Sequence, residues 1–121
     1  MRTSPAIRYW AATGLGLCGR KSDTTHLAPL TEDPYGGVRV AAALARCRLK
    51  PTPQDVELLG REIENANFIV GMYAIRALEL LGPKVAAAEV ETIRAAQNSP
   101  YEFTRRIARR LTAKLESTVS R

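Results

Sequence analysis

The chain has 121 residues, a net charge of +6, and hydrophobic, charged and aromatic shares of 45%, 25% and 6%. That length suits one domain of ordinary size, and the composition is that of a globular protein rather than a disordered or fibrous one. No apolar run approaches the roughly 18–20 residues that cross a bilayer, and Arg8 interrupts the first stretch that could act as a secretory leader.

As written, the chain is therefore expected to stay in the cytoplasm, with no membrane partner. Its positive charge is uneven. Residues 1–50 carry eight Lys/Arg against three Asp/Glu, residues 51–100 four against seven, and residues 101–121 six against two. Basic ends around an acidic middle are unlike the continuous basic stripe of a dedicated nucleic-acid binder, so nucleic acid is not the expected partner.

The first element is residues 5–19, PAIRYWAATGLGLCG, read as a helix holding Tyr9 and Trp10. Its GLGLCG string imitates a dinucleotide fingerprint, but no strand precedes it and it falls late in a helix, so the fingerprint fails. Residues 20–35 hold only a short apolar run, Leu27 to Leu30, broken by Pro29. This stretch reads as a short helix or an irregular loop.

Asp33-Pro34 turns the chain into a second long helix, residues 36–50, GGVRVAAALARCRLK. A well-marked helix follows in TPQDVELLGREIENAN: Thr52 suits the N-cap, Pro53 the first turn, and Asp55 and Glu57 the positive end of the helix dipole. Val56, Leu59 and Ile63 form its apolar stripe. The third long helix is residues 68–82, FIVGMYAIRALELLG, ended by Gly82-Pro83. PKVAAAEVETIRAAQNSP is a further helix with Val85, Val90, Ile93 and Ala96 inward, stopped by Asn98-Ser99-Pro100. The last helix covers residues 101–116.

The long helices repeat. Anchored on Ile7, Val38, Val70 and Thr104, they are spaced 31, 32 and 34 residues apart, and the first three align over fifteen residues without a gap. Positions +3, +4, +7 and +11 share one helix face. Those are Trp10, Ala11, Gly14 and Cys18, then Ala41, Ala42, Ala45 and Leu49, then Tyr73, Ala74, Ala77 and Leu81, then Ile107, Ala108, Leu111 and Leu115. Position +4 is alanine throughout (Ala11, Ala42, Ala74, Ala108), which lets neighbouring helices come close. Position +1 is arginine three times (Arg8, Arg39, Arg105), and Gly71 is the exception. These arginines are expected to tie layers together by bonding loop carbonyls or acidic residues of the preceding turn. No segment alternates with the period of a strand. The expected fold is all-α, an α-solenoid of antiparallel helix pairs with about three or four repeats, the first truncated, in a single domain over residues 1–121.

Trp10 and Tyr73 are expected in the core and Tyr9 off that face, exposed and free to touch another domain. The partner of the first helix would lie before residue 1, so this end is expected to present Ile7 and Trp10 as an uncapped apolar patch. Cys18 and Cys47 are expected to be free, buried thiols, since neither has a CxxC or CxxxH context for zinc. His26 has no second ligand near it. Arg105, Arg106, Arg109 and Arg110 could contact an anion. A solvated face partly neutralised by the acidic middle is the preferred reading.

The repeat, with its [VI]R-x-x-A-A wording, resembles the HEAT-like class, including the short bacterial form related to phycobilisome-lyase repeats. AIRYWAATGLGLCG, DPYGGVRVAAALARCRL and NFIVGMYAIRALELLG also resemble the C-terminal helical tail of bacterial arylsulfatase-type sulfatases. Tyr9, Trp10, Asn67 and Tyr73 carry most of that likeness. The resemblance implies a non-catalytic domain that packs on a sulfuric-ester hydrolase domain, with an exported or periplasmic location for such a longer protein. The alternative is a stand-alone HEAT-repeat adaptor. The family's chemistry does not carry over. Its formylglycine arises in a C/S-x-P-x-R motif, but Cys18 precedes Gly-Arg-Lys-Ser and Cys47 precedes Arg-Leu-Lys-Pro. Its calcium sits in an aspartate cluster, whereas Asp23, Asp33 and Asp55 are scattered. No catalytic, cofactor or metal residue is expected in this chain.

Overall fold

A computed structural model describes residues 3–119, with side chains through Ser117. Every regular element among them is helical: α1 (Pro5–Cys18), α2 (Thr24–Leu27), α3 (Gly36–Leu49), α4 (Pro53–Glu62), α5 (Phe68–Leu81), α6 (Pro83–Ala86), α7 (Val90–Ala96) and α8 (Glu102–Val119). Three 3-10 turns, Lys21–Asp23, Ala28–Glu32 and Ala87–Glu89, flank the short helices.

Local chemistry sets the helix ends. Ser4 accepts from the Ile7 amide at 3.3 Å and Pro5 opens α1. Thr52 accepts from Asp55 at 3.4 Å and Pro53 opens α4. Asn67 accepts from Ile69 at 3.0 Å at the start of α5. Each removes an unpaired donor from a first turn. Gly82 ends α5 at φ 93°, a left-handed conformation that glycine adopts without penalty.

The long helices lie side by side in chain order, α1 on α3, α3 on α5 and α5 on α8. The Phe68 and Tyr101 rings stack at 5.1 Å near the starts of α5 and α8, and Glu79 meets Arg110 further along both helices. Those two helices therefore run in the same direction. Arg8 lies over the Tyr35 ring at 5.7 Å, and Gly16 meets Ala45 towards the other end, so α1 and α3 are parallel as well. The shorter elements pack against the long helices, α2 on α3, α4 on α3 and α5, and α7 on α8.

Two apolar clusters result. The larger joins α3, α4, α5, α7 and α8 through Ala43, Leu59, Ile75, Leu78, Ile93 and Leu111, all fully enclosed. The smaller holds α1 and the 20–35 region on α3 through Ala12, Leu27, Ala41, Ala42 and Ala45. The 20–35 region is thus a run of short helical turns whose Leu27 is fully buried. The helix expected after Pro83 is broken by a 3-10 turn at Ala87–Glu89, where Glu89 lies against Gly60.

Ala42, Ala74 and Ala108 are buried, as are Ile107, Leu111 and Leu115 beside Ala108. The first copy departs from that register. Ala11 is exposed, and Ala12 and Gly16 face α3 instead. Trp10, Gly14 and Cys18 turn outward, while Tyr9, expected to be exposed, is half-buried against the smaller cluster. The reason is steric. A Cβ on Gly16 would lie 2.8 Å from both Cα and Cβ of Ala45, so the smallest residues of α1 mark the closest approach. Tyr73 is exposed as well.

The Thr112 hydroxyl on α8 is buried without a hydrogen-bond partner among the described residues. Thr112→Val keeps the shape and removes that desolvated group, so it is expected to raise stability by about 1 kcal/mol in chemical denaturation. A loss of stability would show that the hydroxyl has a partner in solution.

Candidate functional site

The outward side of α1 is the most distinctive surface. Ile7, Trp10, Gly14 and Leu17 recur at helical spacing, flanked by Ala6, Ala11 and Cys18, all exposed. Ile7 is 58% exposed, Trp10 68% and Leu17 66%. Arg8 is the only charged residue of α1, and it points to the other side, donating to Asp33 at 2.6 Å and 3.2 Å. The outward face is therefore apolar and uncharged along the whole helix. The Trp10 and Tyr9 rings make a T-shaped contact with centroids 5.3 Å apart. Scattered apolar residues are ordinary on a surface, but here Ile7, Trp10 and Leu17 lie together on one helix face.

Behind this face runs a ladder of arginines and carboxylates. Arg8 donates to Asp33 and also to the Thr3 carbonyl. Arg39 donates to both Glu62 oxygens, at 2.8 Å and 3.2 Å, and to the carbonyls of Asp33 (2.9 Å) and Pro34 (3.2 Å). Arg105 donates to the Ser99 carbonyl at 3.0 Å. The carboxylates of Arg8 and Arg39 belong to the segment leading into the next long helix, so these two arginines reach forward as well as back. Gly71 replaces arginine in α5 because a Cβ there would sit 2.7 Å from the Ile63 carbonyl oxygen.

Hydrogen bonds from Arg8 hold the Asp33 carboxyl below its usual range. Burial pushes Glu62 upward, but bonds from Arg39 and Asn65 outweigh it and leave Glu62 lowered. Glu89 moves the other way, raised by burial and by the nearby charge of Glu57.

Family models, curated proteins and solved structures return no match to the chain.

The basic cluster of α8 is divided rather than gathered. Arg105 turns to the Ser99 carbonyl, Arg106 pairs with Glu102 at 2.8 Å, and Arg110 pairs with Glu79 at 2.5 Å and 2.8 Å. Arg109 is exposed. Glu79 also accepts from Arg76, and the bond from Arg110 is the main reason its carboxyl is lowered. The repeat register does not mark this bridge, because Glu79 and Arg110 stand 31 residues apart where the interval from α5 to α8 is 34, so they occupy different repeat positions. Another unforeseen clamp is Arg46, which donates to both Asp55 oxygens at 3.0 Å and to the Thr24 carbonyl at 2.7 Å.

Cys18 is exposed, contrary to expectation, because α1 turns that side outward. Cys47 is buried, and burial pushes its thiol up to about 11, which leaves it unreactive at neutral pH. Asp33 and Asp55 are engaged by arginines, and Asp23 accepts from the Arg20 amide at 2.7 Å. Among the described residues no group of three or more His, Cys, Asp and Glu converges at metal-binding distance, and no helix is long and apolar enough to cross a membrane.

Proposed function

We propose that this chain is a non-catalytic docking module, a HEAT-like segment that seats on a protein through the outward face of α1. The observation that carries this reading is the uncharged apolar face around Trp10. Burying it would release about 25 cal/mol for each Å² of apolar surface, and a large exposed aromatic is the usual anchor of such a contact. The parallel run of long helices and the arginine bonds linking successive layers support the HEAT-like stacking. On this reading α2, α4 and α6–α7 are the antiparallel partners of the long helices.

The likeness of its segments to arylsulfatase tails makes a sulfuric-ester hydrolase domain the first candidate partner, joined in the same polypeptide. The module would then stabilise that domain and shape access to it, and any calcium would belong to the hydrolase's own aspartates. A stand-alone adaptor is the second reading, favoured by the arginine-rich surface of α5 and α8, which lies across α3 from α1.

The test is co-purification with a hydrolase domain bearing C/S-x-P-x-R and encoded in the same or the adjoining frame. Trp10→Glu/Leu17→Glu is expected to weaken the complex at least about ten-fold. Helical circular dichroism should not change, since both residues are exposed. A complex that survives the double variant sinks the α1 assignment. A gene neighbourhood without the motif sinks the sulfatase reading and leaves the adaptor.

A further inference from the structure

The outer sides of α5 and α8 form a second surface, separated from α1 by α3. On α5, Ile69, Tyr73, Arg76 and Leu80 are exposed at helical spacing. On α8, Phe103, Arg106 and Arg110 share one line, and Phe103 is 63% exposed. The two lines meet at Glu79, which joins Arg76 to Arg110. Because the helices are parallel, the seam carries three exposed arginines, Arg76, Arg106 and Arg110, with Ile69, Tyr73, Leu80 and Phe103 exposed along the same two lines.

We propose that this seam docks an acidic protein segment carrying apolar side chains. Charge decides the partner. One nearly buried carboxylate, Glu79, serves two guanidiniums, so the bridge keeps a surplus positive charge. Arg109 adds another charge beside it. The Arg106–Glu102 pair is solvent-exposed on both members. Such pairs contribute little in water, so a partner's carboxylate can replace Glu102 on Arg106. Guanidiniums hold carboxylates with two parallel bonds, as Arg110 already does with Glu79. Tyr73, Leu80 and Phe103 supply the apolar anchors that charge alone lacks. The surface is independent of α1, so it stands or falls separately from the docking function proposed above.

The probe is a fluorescein-labelled peptide of alternating glutamate and leucine, followed by anisotropy against the whole chain. Saturable binding is expected, weakening as salt rises. Arg106→Glu/Arg109→Glu should weaken it at least ten-fold and Phe103→Ala several-fold, whereas Trp10→Glu/Leu17→Glu should leave it unchanged. All these side chains are exposed, and unaltered thermal unfolding would show that each variant folds. A glutamine–leucine peptide that binds equally well overturns the proposal, as does absence of saturable binding. Tighter binding of an oligothymidine than of the acidic peptide would also overturn it and assign the seam to nucleic acid.

Discussion

Gly16→Leu is expected to pry α1 away from α3. A Cβ at this position meets Ala45 at 2.8 Å, and one of the atoms it meets is backbone Cα, which cannot rotate aside. Overpacking of this kind costs about 3 kcal/mol. The damage should be local, because the apolar contacts of α1 are those of the smaller cluster, around Ala12. Hydrogen exchange should show lost protection across α1 while α4, α5 and α8 keep theirs. Gly14 supplies the control, since a Cβ there meets nothing within 4 Å. Gly14→Ala should therefore raise stability by about 0.5–1 kcal/mol through helix propensity. Wild-type protection of α1 in Gly16→Leu would show that close approach to α3 is not what holds the helix.

Arg39→Met is expected to cost about 2 kcal/mol at neutral pH, because it strands the enclosed Glu62 carboxylate and two loop carbonyls. The cost should depend on pH. The Glu62 carboxyl lies below its ordinary value of 4.5 in the folded chain. Its contribution is therefore complete above that value and disappears as pH falls through the folded pKa. Asp33 and Glu79 are lowered too, so the wild type should lose stability over the same acid range. The variant has already lost the Arg39–Glu62 contact, so the gap between the two proteins should narrow in acid. Urea titrations from neutral pH down to about pH 3 measure it. A gap of constant size across that range would show that the arginine acts through its carbonyl bonds alone.

Much of this molecule is legible along the chain. Thr52 and Pro53, and Gly82-Pro83, mark helix ends by chemistry that acts within a few residues. The spacing of Val38, Val70 and Thr104 puts Ala42, Ala74 and Ala108 on the buried side, although Tyr73, assigned to the same face, is exposed. The same method misplaced Ala11 and Tyr9. Helix α1 has one charged residue, so its apolar pattern runs all the way round and hydrophobicity alone cannot say which side faces inward. The broken helix after Pro83 escaped for a similar reason, since Ala86, Ala87 and Ala88 contain no breaker.

By itself, then, the sequence determined an all-helical chain, its long helices, the interval between them and the candidate arginines, since these follow from neighbouring residues and a short period. Only the tertiary structure decided which face of α1 is buried, because the closeness of Gly16 to Ala45 sets it. It also decided where the arginines go. Guanidiniums that are adjacent in α8 part to Ser99, Glu102 and Glu79, following carboxylates and carbonyls that packing brings within reach. The apolar face of α1 and the charged seam of α5 and α8 both follow from those two outcomes.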